Sequence, residues 1–335
     1  MAALGTSTFT LNEYLQQLGP DDQLAPYIDL MSQRNGLMQQ IPWRNGLLPD
    51  GDIVFMRTGL PNNGTAQWSI MNQGIVGSKD TFTSVQYKAG QLAEKIEVDN
   101  RLSMIAGESG LAEMRARCAM GMVEKLTQNA SNAFIYESLT NGPERIQGLQ
   151  TYYSTKTVSA TNLSAANVVD GAGATASGQS SMYLLTKESG FYGFVPKNSP
   201  LGLIRNNVGA VEITDSTGTY PGMREYFYWN LGLAIPDWRQ NGRICNIDTA
   251  GLRGGSPADL VGLAEDLTSK PTIDGDRFWL VPRNIMLHLR KQARKTVQTG
   301  GGLTFDNYQG RPILMLHGYP VIQEDQMLST EAVVV

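Results

Sequence analysis

The chain has 335 residues, 41% of them hydrophobic, which is enough for two compact domains and excludes a chain left disordered for want of apolar material. Its 36 glycines and only 17% charged residues point to many turns and strands, and to a surface that ends up against copies of itself. A formal charge of −4 excludes a strong nucleic-acid binder, which needs clustered Lys and Arg to displace phosphate counterions, and leaves at most a neutral wall beside nucleic acid.

Met1 to Ser7 has neither the basic start nor the apolar run of a secretory signal. No stretch approaches the roughly 20 apolar residues of a membrane span, so no membrane partner is expected. Cys118 and Cys245 lie far apart without metal-type spacing, as free thiols of a reducing cytoplasm would. Thr10-Leu11-Asn12-Glu13 then reads as a capping box opening a short helix with Leu11, Tyr14, Leu15 and Leu18 on one face, stopped by Gly19-Pro20. A second amphipathic piece carries Leu24, Ile28 and Met31 and ends at Asn35-Gly36. Two short helices separated by breakers bury little against each other and need another surface, such as a neighbour's.

From Asp50 to Asp99 the pattern turns to strands. Ile53 to Met56 and Thr65 to Ile70 flank the turn Pro61-Asn62-Asn63-Gly64, while Thr81 to Lys88 is rich in β-branched and aromatic residues. Ile96 and Val98 alternate with Lys95, Glu97 and Asp99, the mark of a half-buried strand. So polar a hairpin has little core of its own and suits lying across another molecule; Phe55, Trp68, Phe82 and Tyr87 are its candidate contacts, with Leu11, Tyr14 and Leu15 of the arm. Ser109 to Leu139 predicts a helix about 45 Å long, striped by Leu111, Met114, Cys118, Met122, Leu126, Ala130 and Ala133 and stopped at Asn141-Gly142-Pro143. Such a length suits a strut as well as a plain core helix. Gly121 sits mid-helix, where glycine costs about 1 kcal/mol against alanine, and is the candidate hinge.

Thr155 to Ser181 reads as a linker of Ala, Gly, Ser and Thr, and Met182 to Asp248 as short strands and turns. Ser256-Pro257 predicts a helix start, with Leu260, Val261, Leu263, Ala264 and Leu267 on its buried side. Phe278 to Val281 is a buried strand, Asn284 to Thr296 a helix, and Pro312 to Val335 carries strand signals again.

Chemistry is hard to find. His288 and His317 form no zinc pattern, no GxSxG elbow is present, and neither cysteine has a nucleophile's context, so no catalytic, cofactor-binding or metal residue is assigned. The run Val168 to Ala176 contains a GxGxxA match, but a dinucleotide loop must open a helix and this one continues into Ser177-Gly178-Gln179-Ser180. Arg283, Arg290, Lys291, Arg294 and Lys295 cluster on one helix, either facing nucleic acid or an acidic partner, or as a solvated face complementing the helix C-terminus; without aromatic interleaving the solvated face is preferred.

Several segments carry a resemblance. Ala93 to Asp99 resembles the return strand of an extended loop, Ile146-Gln147-Gly148-Leu149 the Gly-Leu after a spine helix, and Ala258 to Val261 with Trp279 to Arg283 the first helix and strand of an axial domain. His317-Gly318-Tyr319-Pro320-Val321 resembles that domain's closing strand, and Phe227 to Leu233, Asp237-Trp238-Arg239 and Arg243 to Asp248 resemble peripheral strands of short-tailed phage capsid proteins. In this order they resemble the Hong Kong-type capsid fold of tailed bacteriophages.

That resemblance implies an α+β chain with an N-terminal arm at 1–49, an extended loop at 50–99, a peripheral domain at 100–250 with its spine helix at 109–139, and an axial domain at 251–335. The peripheral-like strands precede the axial segment here, whereas in the family prototype they follow it. The implied function is a major capsid protein, not an enzyme, that assembles through pentamers and hexamers into the icosahedral shell of a virion within the host cytoplasm. Implied partners are further copies of itself, a portal, packaged double-stranded DNA held without sequence-specific binding, and a decoration protein where one exists. A separate scaffolding protein is also implied, since the long charged N-terminal extension of some relatives is missing. Some relatives join a loop lysine to a neighbour's asparagine; Lys79 and Lys88 lie in the loop, but no partner is evident and no cross-link is expected. A tail or baseplate protein, forming tubes or trimers, and a cytoplasmic enzyme with a polar pocket are the alternatives.

Overall fold

The computed structural model describes residues 35–335 apart from 60–67, 73, 75, 76, 78, 160, 161, 216, 217, 255–257, 271–274, 296–302, 309 and 310. The expected arm helices, with Leu11, Tyr14 and Leu15, lie outside the described residues. In chain order, helix α1 (Gly36–Gln40) leads into strands β1 (Trp43–Asn45), β2 (Gly51–Gly59) and β3 (Thr81–Asp99). The long helix α2 (Arg101–Tyr136) and the single turn α3 (Leu149–Tyr152) come next. Strands β4 (Val168–Asp170), β5 (Gln179–Thr186), β6 (Tyr192–Val195), β7 (Leu203–Asp215), β8 (Gly218–Ala234) and β9 (Gly242–Asp248) follow. Helix α4 (Leu260–Thr268), strand β10 (Arg277–Val281), helix α5 (Arg283–Lys295) and strands β11 (Leu303–Tyr308), β12 (Arg311–Leu316) and β13 (Tyr319–Gln323) complete the chain.

The strands divide between two sheets. One runs β1-β6-β8-β3-β2, with β7 also paired to β8; the other runs β11-β12-β13-β10-β5-β9-β4. Strands β5 and β9 are antiparallel neighbours in the second sheet, yet the chain between them leaves to build β6, β7 and β8 of the first. The segment with β6, β7 and β8 is thus an excursion from the second sheet. Consequently residue 250 does not separate the two sheets: the second takes β4, β5 and β9 from before it and β10 to β13 from after it.

Alternation within β10 shows how the core is layered. Phe278 and Leu280 point into a cluster with Ala130 and Phe134 of α2, whereas Trp279 and Val281 point into another with Leu260 and Leu267 of α4 and Ile285 and Leu289 of α5. Each of these is fully buried, contributing about 1.5–3 kcal/mol for a large apolar side chain. Nearer its start, α2 packs Met114 and Leu126 against Ile96, Val98 and Phe227 of the first sheet. One helix therefore braces both cores.

Two expectations need correction. The segment from Thr155 to Ser181 is no linker, because Val168, Val169, Ser180 and Ser181 are buried in β4 and β5. Its small residues allow close approach: a Cβ on Gly173 would lie 2.5 Å from the Asn246 carbonyl oxygen. No helix follows Gly171, as the dinucleotide pattern would require. Helix α2 has a break at Gly107 (φ 70°, ψ 166°), while Gly121, the candidate hinge, lies in continuous helix where an added Cβ would meet nothing within 4 Å. A positive φ needs glycine; a solvent-facing helical site merely tolerates it. Second, the cap of α4 is Asp259, whose carboxylate accepts the Gly262 amide at 3.2 Å, while Ser256 and Pro257 lie outside the described residues.

Candidate functional site, an assembly surface

The hairpin of β2 and β3 pairs from Gly51 with Lys88 to Gly59 with Thr81. At about 3.3 Å per residue, the 19 residues of β3 span about 60 Å, so this strand starts far out and ends inside the molecule. Thr81 to Ser84 are exposed, whereas Ile96 to Val98 are buried. Opposite Phe55 stands Ser84, and opposite Arg57 stands Phe82; the two phenylalanines thus share one face as diagonal neighbours. Phe55 is 70% and Phe82 66% exposed, and Trp68, Ile70 and Met71 beyond them are exposed too. Large apolar groups gathered on an arm without a core of its own mark a contact surface.

Tyr87 departs from the other candidates. It is buried with Tyr192, Phe194 and Ala234, and its hydroxyl donates to the Ile235 carbonyl at 2.6 Å. Burial pushes the phenol up to about 12; the Ile235 hydrogen bond opposes this and the charge of Asp52 adds to it. Its place is therefore the root of the hairpin, inside the subunit's own core. Beside it Asp52 accepts the Tyr192 hydroxyl at 2.6 Å and the Leu47 and Ile53 amides at 3.1 and 2.9 Å. A Cβ on Gly51 would collide with the Tyr87 carbonyl oxygen, so only glycine lets β2 approach β3 here. The root is fixed and the distal part bare.

Two further networks, absent from any sequence pattern, hold the body behind this arm. Glu225 of β8 is buried and takes Arg115 of α2 on one oxygen and Arg205 of β7, at 2.8 Å, on the other. Glu97 of β3 takes Arg224 at 2.7 Å and Lys95 at 3.0 Å. In the second network Arg243 of β9, wholly buried, donates to Glu331 at 2.9 Å, to Ser181 and to the Tyr153 carbonyl. Tyr136 at the end of α2 donates to the other Glu331 oxygen at 2.7 Å, tying helix, sheet and C-terminal tail together. Among the described residues no cluster of three His, Cys, Asp or Glu side chains can hold a metal, and no helix is long and apolar enough to cross a membrane.

A profile of the family described as major capsid protein GP7 matches residues 19–335. The chain belongs to this family. Its function is accordingly to form the shell of a virion, and it is not an enzyme. No curated protein sequence matches it significantly. Among solved structures it is similar to a chain of bacteriophage epsilon15, at 21% identity and a TM-score of 0.79, covering 100% of this chain and 99% of that one. It is also similar to the bacteriophage JBD30 capsid, at 10% identity and a TM-score of 0.53, covering 89% and 93%. These likenesses give the capsid protein its fold class, the Hong Kong-type α+β fold. The epsilon15 likeness runs over the whole chain, the excursion of β6 to β8 from the second sheet included.

Proposed function

We propose that this capsid protein closes into rings of five and six that build an icosahedral shell, with each β2–β3 hairpin lying over the adjacent subunit. The observation that carries this reading is the exposed face of Phe55 and Phe82, with Trp68 beyond it, on an arm whose root is locked by Tyr87 and Asp52. Its apolar area leaves water only when another molecule covers it, and a second copy is always at hand in a shell. In this reading α2 is the spine, and the β10–β13 segment points to the ring centre. A scaffolding protein, a portal and packaged double-stranded DNA are its proposed partners, a decoration protein where one exists, and the host cytoplasm its place of assembly.

The test is a double substitution, Phe55→Ser with Phe82→Ser, examined by electron microscopy and by circular dichroism. Both side chains already face solvent, so the isolated subunit keeps its fold and stability to within about 0.5 kcal/mol. Shells should no longer form. Normal shells from the double variant would remove the hairpin from the assembly contact.

A further inference from the structure

The two helices that cover one face of the second sheet carry opposite charge. Helix α5 contains Arg283, Arg290, Lys291, Arg294 and Lys295 and no acidic residue, in a chain whose formal charge is −4. Helix α4, led by the cap Asp259, contains Glu265 and Asp266 and no basic residue. Arg283, Leu287, Arg290 and Lys291 recur at helical spacing and all four are exposed, so they form one outward face. Glu265 and Asp266 are exposed as well. None of these five charged groups makes an ion pair with a described residue. Among the described residues, the complementary charges of one molecule therefore do not pair with each other.

Their placement says what can pair with them. Helix α5 packs over β13, while α4 packs over β4 and β9, toward the opposite edge of the sheet. Both helices pack on one apolar cluster over the same face of that sheet, so the two patches are distinct without being opposed. A contact between two different patches is head-to-tail, and such contacts close into rings when the rotation closes. Leu287 is 56% exposed at the middle of the cations. A phosphate backbone offers that leucine no apolar partner; a protein surface does.

We propose that the basic face of α5, formed by Arg283, Arg290 and Lys291 around Leu287, docks on Glu265 and Asp266 of α4 in the next copy within a ring. This inference rests on the shell reading above and adds the contact that sets the order of subunits around the ring. Opposed charges fix register and reject wrong partners more than they add affinity.

The test uses the full chain and three variants: Arg290→Glu with Lys291→Glu, Glu265→Lys with Asp266→Lys, and all four together, with shells counted by electron microscopy and folding checked by circular dichroism. Each reversal alone should lower the shell yield by about tenfold or more, and the four together should restore it to within about threefold of the parent. Where the fourfold variant fails to fold, the single exchange of Lys291→Glu and Asp266→Lys is read the same way. Undiminished shells from either reversal, or no recovery in the combined variant, overturn the proposal. So does a basic-face reversal whose shells form normally but no longer retain nucleic acid, which would make DNA the occupant. A parent chain that forms no shells under any condition would instead defeat the shell reading itself.

Discussion

Arg243 and Glu331 show how much a single pair can matter. Their side chains are 0% and 2% exposed, and the guanidinium spends its hydrogen bonds on Glu331, Ser181 and the Tyr153 carbonyl. Removing the cation alone strands a carboxylate in the core, so Arg243→Met should lower stability by about 3–5 kcal/mol in urea unfolding. Replacing both members by uncharged groups should cost less than that single change. Cys245 makes a second case. Burial pushes its thiol up to about 11, against the pull of Arg243, so alkylation at pH 8 should spare it until the chain unfolds, as mass spectrometry would show. Glu137 gives a pH test. Burial raises its carboxyl, but Asn141, Arg145 and the Ser138 amide outweigh that, and its pKa lies below the usual carboxylate value. The stability this adds is complete above the unfolded value and is lost as pH falls through the folded one. Glu137→Gln should flatten that acid-side loss, an effect of at most about 1 kcal/mol for so exposed a pair.

At the scale of elements, α2 turns on two glycines with opposite roles. Gly107 holds φ 70°, where a side chain is strained, whereas Gly121 is helical and faces open space. Gly121→Ala should therefore stabilise the chain by about 1 kcal/mol and leave shells unchanged, while Gly107→Ala should destabilise by a similar amount or more and alter the path of Arg101–Ala106. Thermal unfolding of the two variants separates them. Helix periodicity could show that a long helix runs here, since Met114, Leu126 and Ala130, at multiples of four residues, are all buried, but a break made by one dihedral leaves no periodic signal. Strands were equally legible, from alternation at Ile96 and Val98 and from a continuous apolar run at Phe278 to Val281. What alternation could not show is which strands meet: Gln179 and Asp248 pair across the whole β6–β8 excursion, and Arg243 and Glu331 meet across 88 residues. For the same reason Tyr87, aromatic like Phe55 and Phe82 in the same hairpin, gave no sign of sitting at the buried root. Composition misled at Thr155 to Ser181, where small residues serve tight packing in β4 and β5 and not flexibility.

For the whole molecule, the contrast is between a body closed by buried networks and an arm left bare. Both sheets share α2, and the tail is tied back through Glu331 and Tyr136, whereas Phe55, Trp68 and Phe82 of the hairpin segment stay exposed. In the shell a neighbour must cover that hairpin. Hydroxyl-radical footprinting of Phe55, Trp68 and Phe82, read by mass spectrometry in free subunits and in assembled shells, tests it most directly. All three should be oxidised readily in the free subunit and protected severalfold or more in shells, while the buried Tyr87 stays protected in both. Equal oxidation of the three in both states would contradict it.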